Sequence, residues 1–306
     1  QPFWQNDTHG RTPCQEQVVT VGAFDLLRPK SLAEASELLL KYGEEARPIA
    51  GGTTLVILMK QRVLHFPYLV DLQGIAGLDQ ISRKNGWITI GALVTHRSVE
   101  CSGMVRESVP VLAEAFSKVG NVRVRETASV GGSLAHADYR LDPPPAFLIL
   151  GADIIVYGPN GTRTVPISDL YRETYETVLE PGEILVEVRI PVMSEGSRAA
   201  YLKYQSLSAN DWPCLGVAAF LSQIEGDCRE LRLGLAGLAS TPLLIEGLDF
   251  VRGRPLTDSL IEEVARVADQ QISPMSDLRG SEWYKRRMAR VFIKRVIREV
   301  ERRFWI

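Results

Sequence analysis

Ala50-Gly51-Gly52-Thr53-Thr54-Leu55 and Ser129-Val130-Gly131-Gly132-Ser133-Leu134 are two similarly dressed glycine pairs, and how they are read decides the fold. Each follows a run that reads as β-prone and each leads into small or apolar residues. A single Gly-Gly between two elements is ordinarily just a turn. Two of them, flanked by the hydroxyls of Thr53, Thr54, Ser129 and Ser133, read as one divided anion site, because amides without a Cβ shield let a diphosphate come within hydrogen-bonding distance. Neither G-x-G-x-x-G nor G-x-x-x-x-G-K-[ST] occurs in the chain, which removes the usual dinucleotide and P-loop readings.

The bulk numbers set bounds. A chain of 306 residues can form two or three packed units. A formal charge of -2 provides no overall field to gather nucleic acid or anionic lipid. Cys14, Cys101, Cys214 and Cys228 are scattered, with no C-x-x-C pair for zinc, an iron-sulfur cluster or a redox dithiol. No apolar run is long enough for a membrane span and the N-terminus has no signal-peptide pattern, so the expectation is a cytoplasmic protein.

Outward from the glycine pairs, residues 1–17 read as a polar leader. Residues 18–77 read as a small α/β unit, with a helix opened by Ser31 and Glu34 as a capping box and closed at Gly43, then strands at 47–50 and 68–72. Residues 78–195 form a second unit: a strand at 87–92, a helix around 109–118, an apolar helix at 146–150 and a hairpin turning at Pro159-Asn160-Gly161. Its last strand, 183–190, alternates as a half-buried strand and is closed by Pro191. In the third unit, 196–306, three strand patterns near 200–205, 215–224 and 230–236 precede helical patterns at 258–269 and 282–303. The fold class is therefore α+β: two N-terminal α/β subdomains, then a three-stranded antiparallel sheet with a helical bundle. The final helix is rich in Lys and Arg and reads as a solvated face or a docking surface for an acidic partner, not as a DNA reader.

With these segments in place, the chain after residue 18 resembles the FAD-binding (medium) subunits of molybdenum hydroxylases, of the carbon monoxide dehydrogenase type, whose FAD-binding fold is of the PCMH type. The resemblance is carried in order by Arg47-Pro48-Ile49-Ala50-Gly51-Gly52, Leu69-Val70-Asp71-Leu72, Ile90-Gly91-Ala92, Ser129-Val130-Gly131-Gly132-Ser133-Leu134-Ala135-His136-Ala137-Asp138, Glu180-Pro181-Gly182-Glu183 and Tyr284. It implies FAD held between the two N-terminal units, with residues 50–54 and 129–133 (Ala50, Gly51, Gly52, Thr53, Thr54, Ser129, Val130, Gly131, Gly132, Ser133) around the pyrophosphate. By the same match Asp142 stands where the family has an acid near the ADP part, Leu185 where an apolar residue packs on the cofactor, and Lys203 where a lysine reaches toward the flavin. Asp211 aligns with an acidic position, and Trp212 with an aromatic cover of the isoalloxazine; Trp212 beside Pro213 would otherwise read as a core aromatic. The sequence departs from the family at Thr53, at 125–129 and at Tyr139-Arg140-Leu141-Asp142.

The resemblance further implies an electron-transfer subunit. A small partner subunit would carry a 2Fe-2S cluster and a large one a molybdopterin cofactor, in a dimer of heterotrimers that serves an external acceptor. No metal site and no catalytic side chain is expected here; His136, the one histidine expected near a glycine pair, Asp138 and Asp211 read as well as turn or packing residues as acid-base groups. A stand-alone FAD oxidase or reductase of the same fold is the alternative enzyme class, and a scaffold that no longer binds the cofactor is the non-enzymatic one.

Overall fold

The computed structural model describes residues 22–304; the expected leader and Cys14 lie outside them. The first unit is a three-stranded parallel sheet in the order Asp25–Leu27, Tyr68–Asp71, Ala46–Ile49. Parallel neighbours need crossovers, and the helix Leu32–Tyr42 supplies the first. Ser31 caps it by accepting from the Glu34 amide, and the Glu34 carboxylate accepts from the Lys30 amide at 2.7 Å, one residue further back than a capping box requires. The helix stops at Gly43. The second crossover is the loop 50–54 and a short helix, Leu55–Lys60, a segment to which the sequence reading assigned no structure.

The second unit is a five-stranded antiparallel sheet in the order Ile81–Lys84, Trp87–Gly91, Ile184–Pro191, Asp153–Gly158, Gly161–Pro166. The strand expected to be half-buried is its centre, and Ile184, Leu185, Val186, Val188 and Ile190 are all buried. A bulge between Leu185 and Glu187 interrupts the expected alternation. Both faces of the sheet are covered. Ile184, Val186 and Ile155 join the first unit's core with Val70 and Ala35, while Leu185, Val188, Ile190 and Ile154 join a larger core with Phe116 and Phe147. Pro191 closes the strand as its last residue, still in register with Trp87.

Helices fill the crossover between the strands ending at Gly91 and beginning at Asp153: His96–Cys101, Gly103–Ser108, Pro110–Ser117, Val122–Thr127, Val130–His136 and Pro143–Leu150. Three consecutive prolines open the last one, where first-turn amides have no intrahelical acceptor to lose.

The third unit contains the three expected antiparallel strands, Ser197–Tyr204, Leu215–Ile224 and Asp227–Ala236, widened by two two-residue strands, Leu243–Leu244 and Arg254–Pro255, against the last. The helices Asp258–Gln271 and Glu282–Arg302 cover one face. On the other lies the helix Pro143–Leu150, so close that a Cβ on Gly234 would meet the Pro145 carbonyl at 2.4 Å.

The cations of the final helix are largely answered by acids of the same fold, most of them at the surface. Arg290 and Lys294 share Glu262 at 2.8 and 2.9 Å, Arg286 pairs with Asp269, Arg298 with Asp258, and Arg303 with Glu114. Lys285 is fully buried against Asp277. The expected solvated face is present, with most of its cations paired at the surface to acids of the same fold. Among the described residues no helix is long and apolar enough to cross a membrane.

Candidate functional site

The first glycine pair sits in the loop between the strand Ala46–Ile49 and the helix Leu55–Lys60, with Gly52 in the left-handed region at φ +67°. Among the described residues nothing accepts a hydrogen bond from the amides of Gly51, Gly52, Thr53 or Thr54. Unpaired amides beside two threonine hydroxyls are what a diphosphate would satisfy.

The second pair is not a turn, and the run before it is not a strand. The helix Val122–Thr127 leads into it, and Ser129 caps a seven-residue helix, Val130–His136, whose first turn contains both glycines. Its amides are already committed. Val130 donates to the Val94 carbonyl at 2.9 Å, Gly131 to that of Ala92 at 2.8 Å, Gly132 to Ser129 Oγ at 3.2 Å and Ser133 to the Ser129 carbonyl at 3.0 Å. The Ser133 hydroxyl donates to the Val130 carbonyl. The two stretches are therefore unequal: among the described residues the 50–54 loop has four successive open amides, whereas the helix Val130–His136 has its first amides engaged.

They are brought together nonetheless. A Cβ on Gly51 would lie 1.8 Å from the Thr127 carbonyl oxygen, one on Gly132 would lie 3.9 Å from Ala50 Cβ, and one on Gly131 would lie 2.6 Å from Ala92 Cβ. The bare α-carbons at 51 and 131 are required by close protein neighbours, a packing constraint that the sequence did not show. Packing the 50–54 loop on the start of the Ser129 helix places its open amides beside that helix.

A residue the sequence reading missed secures the second stretch. His96 is buried, and its Nε2 lies 3.2 Å from the Ser129 carbonyl oxygen and 3.2 Å from Ser133 Oγ. A carbonyl can only accept, so the neutral ring carries its proton on Nε2 and leaves Nδ1 without a partner among the described residues. Burial holds the His96 pKa at about 4, below 6.5; the bond to Ser129 works against this and Arg125 adds to it. His136 is thus not the one histidine at a glycine pair. It lies at the far end of the second helix, with its ring 5.1 Å from that of Tyr175.

Asp142 and Lys203, for which the resemblance implied separate roles, form a buried pair 2.9 Å apart. Tyr201 donates to Asp142 Oδ1 at 2.6 Å, and Lys203 also donates to the Lys118 carbonyl at 2.8 Å. Burial pushes the Asp142 carboxyl up to about 6, against the pull of the Lys203 ammonium and the Tyr201 hydroxyl. Spacings of 59 and 61 residues carry no local sign of this network. Leu185 is buried in the central strand at its bulge.

Asp211 Oδ1 accepts from Arg279 Nη2 at 2.6 Å, while Asp211 Oδ2 and Arg279 Nε are buried with no partner among the described residues. Trp212, half-buried beside them, lies under the Arg140 guanidinium, 5.5 Å from its ring centroid. Unpaired amides, buried polar atoms without partners and an aromatic face are each groups that a dinucleotide with a polar-edged ring could engage. Among the described residues no cluster of His, Cys, Asp or Glu could hold a metal ion.

Two family models match the chain: an FAD binding domain in molybdopterin dehydrogenase over residues 22–193, and a CO dehydrogenase flavoprotein C-terminal domain over residues 200–300. The chain is 34% identical to the carbon monoxide dehydrogenase medium chain of Afipia carboxidovorans, over 92% of this chain and 98% of that one. It superposes on a chain of carbon monoxide dehydrogenase from Hydrogenophaga pseudoflava with a TM-score of 0.89 and 32% identity, covering 92% and 98%. It superposes on a chain of quinoline 2-oxidoreductase from Pseudomonas putida 86 with a TM-score of 0.87 and 31% identity, covering 92% and 98%.

Proposed function

The chain belongs to the FAD-binding medium subunits of the molybdenum hydroxylases, a family of oxidoreductase subunits, and we propose from that premise that it relays electrons from a partner's 2Fe-2S cluster through FAD to an external acceptor. FAD, when bound, supplies all the redox chemistry, by taking up electrons and passing them on. The chain's own residues bind, orient and shield.

On this reading the amides of Gly51 to Thr54, with the Thr53 and Thr54 hydroxyls, bind the diphosphate, and Ala50 and residues 129–133 form the wall opposite. Leu185 contributes apolar surface, and the Asp142–Lys203 pair is a fixed dipole that needs no reorganisation when charge changes nearby. The Asp211–Arg279 pair fixes the loop that carries Trp212, and Trp212 stacks on the face of the ring system and excludes water. Units 18–77 and 78–195 hold the cofactor and 196–306 completes its pocket; the break between the two matched models, from 193 to 200, supports the second boundary.

The partners are a small iron-sulfur subunit and a large molybdenum subunit, in a cytoplasmic dimer of heterotrimers. The name medium chain carried by the Afipia relative supports a three-subunit assembly. The substrate belongs to the large subunit, as the different substrates named for the relatives suggest.

The observation that carries this reading is the contact of Gly51 with the Thr127 carbonyl, which sets four open amides beside the Ser129 helix within the matched FAD domain. Titration of flavin-stripped chain with FAD is the test. Saturable binding of about one FAD per chain, weakened by charge at Thr53 (Thr53→Asp), is the expected result. Absence of FAD uptake by folded chain overturns it.

A further inference from the structure

Arg140 follows the second glycine helix and makes more directed contacts than a loop residue needs. Its Nε and Nη2 donate to the two carboxylate oxygens of Asp138 at 3.0 and 2.9 Å, Asp138 being buried. Nη2 also donates to the Tyr175 hydroxyl at 3.3 Å, and that hydroxyl donates to Asp138 at 3.1 Å. The guanidinium stands 5.0 Å from the ring centroid of Tyr139 and 5.5 Å from that of Trp212. A planar guanidinium locked bidentately on a carboxylate has its faces free for aromatic rings, and lysine cannot reproduce that arrangement.

Three separate segments meet at this one side chain. Asp138 and Tyr139 belong to the bend after the helix Val130–His136, Tyr175 to the hairpin between Tyr171–Glu173 and Glu176–Thr177, and Trp212 to the loop between Tyr204 and Leu215. Ala137 and Tyr175 are both held in the left-handed region, at φ +54° and +65°, and the Tyr175 amide donates to the Ala137 carbonyl at 2.8 Å. Non-glycine residues stay there only where surroundings over-determine them. Tyr139 extends the junction, donating from its hydroxyl toward Asp277 at 3.4 Å and accepting from the Gly237 amide. Among the described residues the hydrogen bonds of the loop carrying Trp212 go to its own backbone, to Tyr204 and to Arg279, none to the second unit.

We propose that Arg140 is a positioning residue that holds the Trp212 indole at its place over the cofactor, and so links the second unit to the third at the flavin end of the site. The proposal rests on the reading of Trp212 as the cover of the ring. It assigns a purpose to the Tyr139-Arg140 departure from the family pattern: a charged, rigid clamp between the segments that must close on one ligand.

The experiment uses the full chain loaded with FAD and reads flavin fluorescence, which a stacked indole quenches, together with the reduction potential of the bound flavin. Trp212→Phe is expected to raise fluorescence. Arg140→Met is expected to raise it toward the Trp212→Phe level and to shift the potential in the same direction, with Arg140→Lys between wild type and Met. Should Arg140→Met fail to fold because Asp138 is left buried and charged, the double variant Asp138→Asn/Arg140→Met removes that charge and gives the same reading. Fluorescence that rises in Trp212→Phe but stays at the wild-type level in the Arg140 variants overturns the clamp and leaves the cover intact. Fluorescence unchanged in Trp212→Phe overturns both.

Discussion

The carbonyl oxygen of Thr127 stands 1.8 Å from the point where a Cβ on Gly51 would lie. This contact sets the separation of the two glycine stretches, so it ties cofactor affinity to a packing constraint. Gly51→Ala is expected to cost about 1–3 kcal/mol of stability and to lower FAD affinity as the loop is pushed off the helix start. Gly103→Ala, at a helical position where a Cβ would meet nothing within 4 Å, is the control and should be neutral or slightly stabilising. Urea unfolding and FAD titration of both variants check this.

His96 makes the protein acid-sensitive in a defined window. Its folded pKa of about 4 lies below the unfolded 6.5, so the unfolded chain takes up the proton first as pH falls. The stability it contributes is complete above pH 6.5 and is lost between there and 4, amounting to roughly 3 kcal/mol at most. His96→Gln, whose amide can still donate to Ser129, should flatten this part of the curve of stability against pH. An unchanged slope would place the acid sensitivity elsewhere.

Removing Lys203 leaves Asp142 buried and unpaired. Lys203→Met is expected to cost about 3–5 kcal/mol near neutrality, and Asp142→Asn/Lys203→Met to recover much of it. The pH dependence has a sign. Asp142 has a folded pKa of about 6, raised from 3.8, so its ionisation opposes folding as pH rises through 6, and the loss of Lys203 raises it further. The penalty of Lys203→Met should therefore be smaller at acid pH than at alkaline pH, as denaturant melts at two pH values would show.

Glu262 holds Arg290 and Lys294 together at the surface. Exposed pairs contribute little, so Glu262→Gln should change stability by less than about 1 kcal/mol. It should nonetheless strengthen retention on a sulfated matrix, because it releases two cations on one helix face. Unaltered retention would mean that other acids mask the helix.

Local signals were readable wherever neighbours along the chain do the work. Ser31 and Glu34 marked a helix start three residues apart, and the patterns at 87–92 and 215–224 marked strands, because capping and side-chain alternation act over one to four residues. The helix Val130–His136 left no such mark. It is seven residues long with two glycines in its first turn, and carbonyls of Ala92 and Val94, some forty residues earlier, take its first amides. His96 was overlooked for the same reason, since nothing in its surroundings along the chain points to Ser129. The two-residue strands at Leu243 and Arg254 are too short to show a period.

Residue order alone established the capped helix at Ser31, the longer strands, the two glycine pairs and the likeness to the family, because these depend on short-range sterics and on the spacing of motifs. Only the folded arrangement decided which α-carbons must stay bare, which amides remain open, and that the cations of the last helix are answered by acids on its neighbour. Those outcomes turn on desolvation and on pairing between groups brought together from distant parts of the chain. No window of sequence contains both members of such a pair.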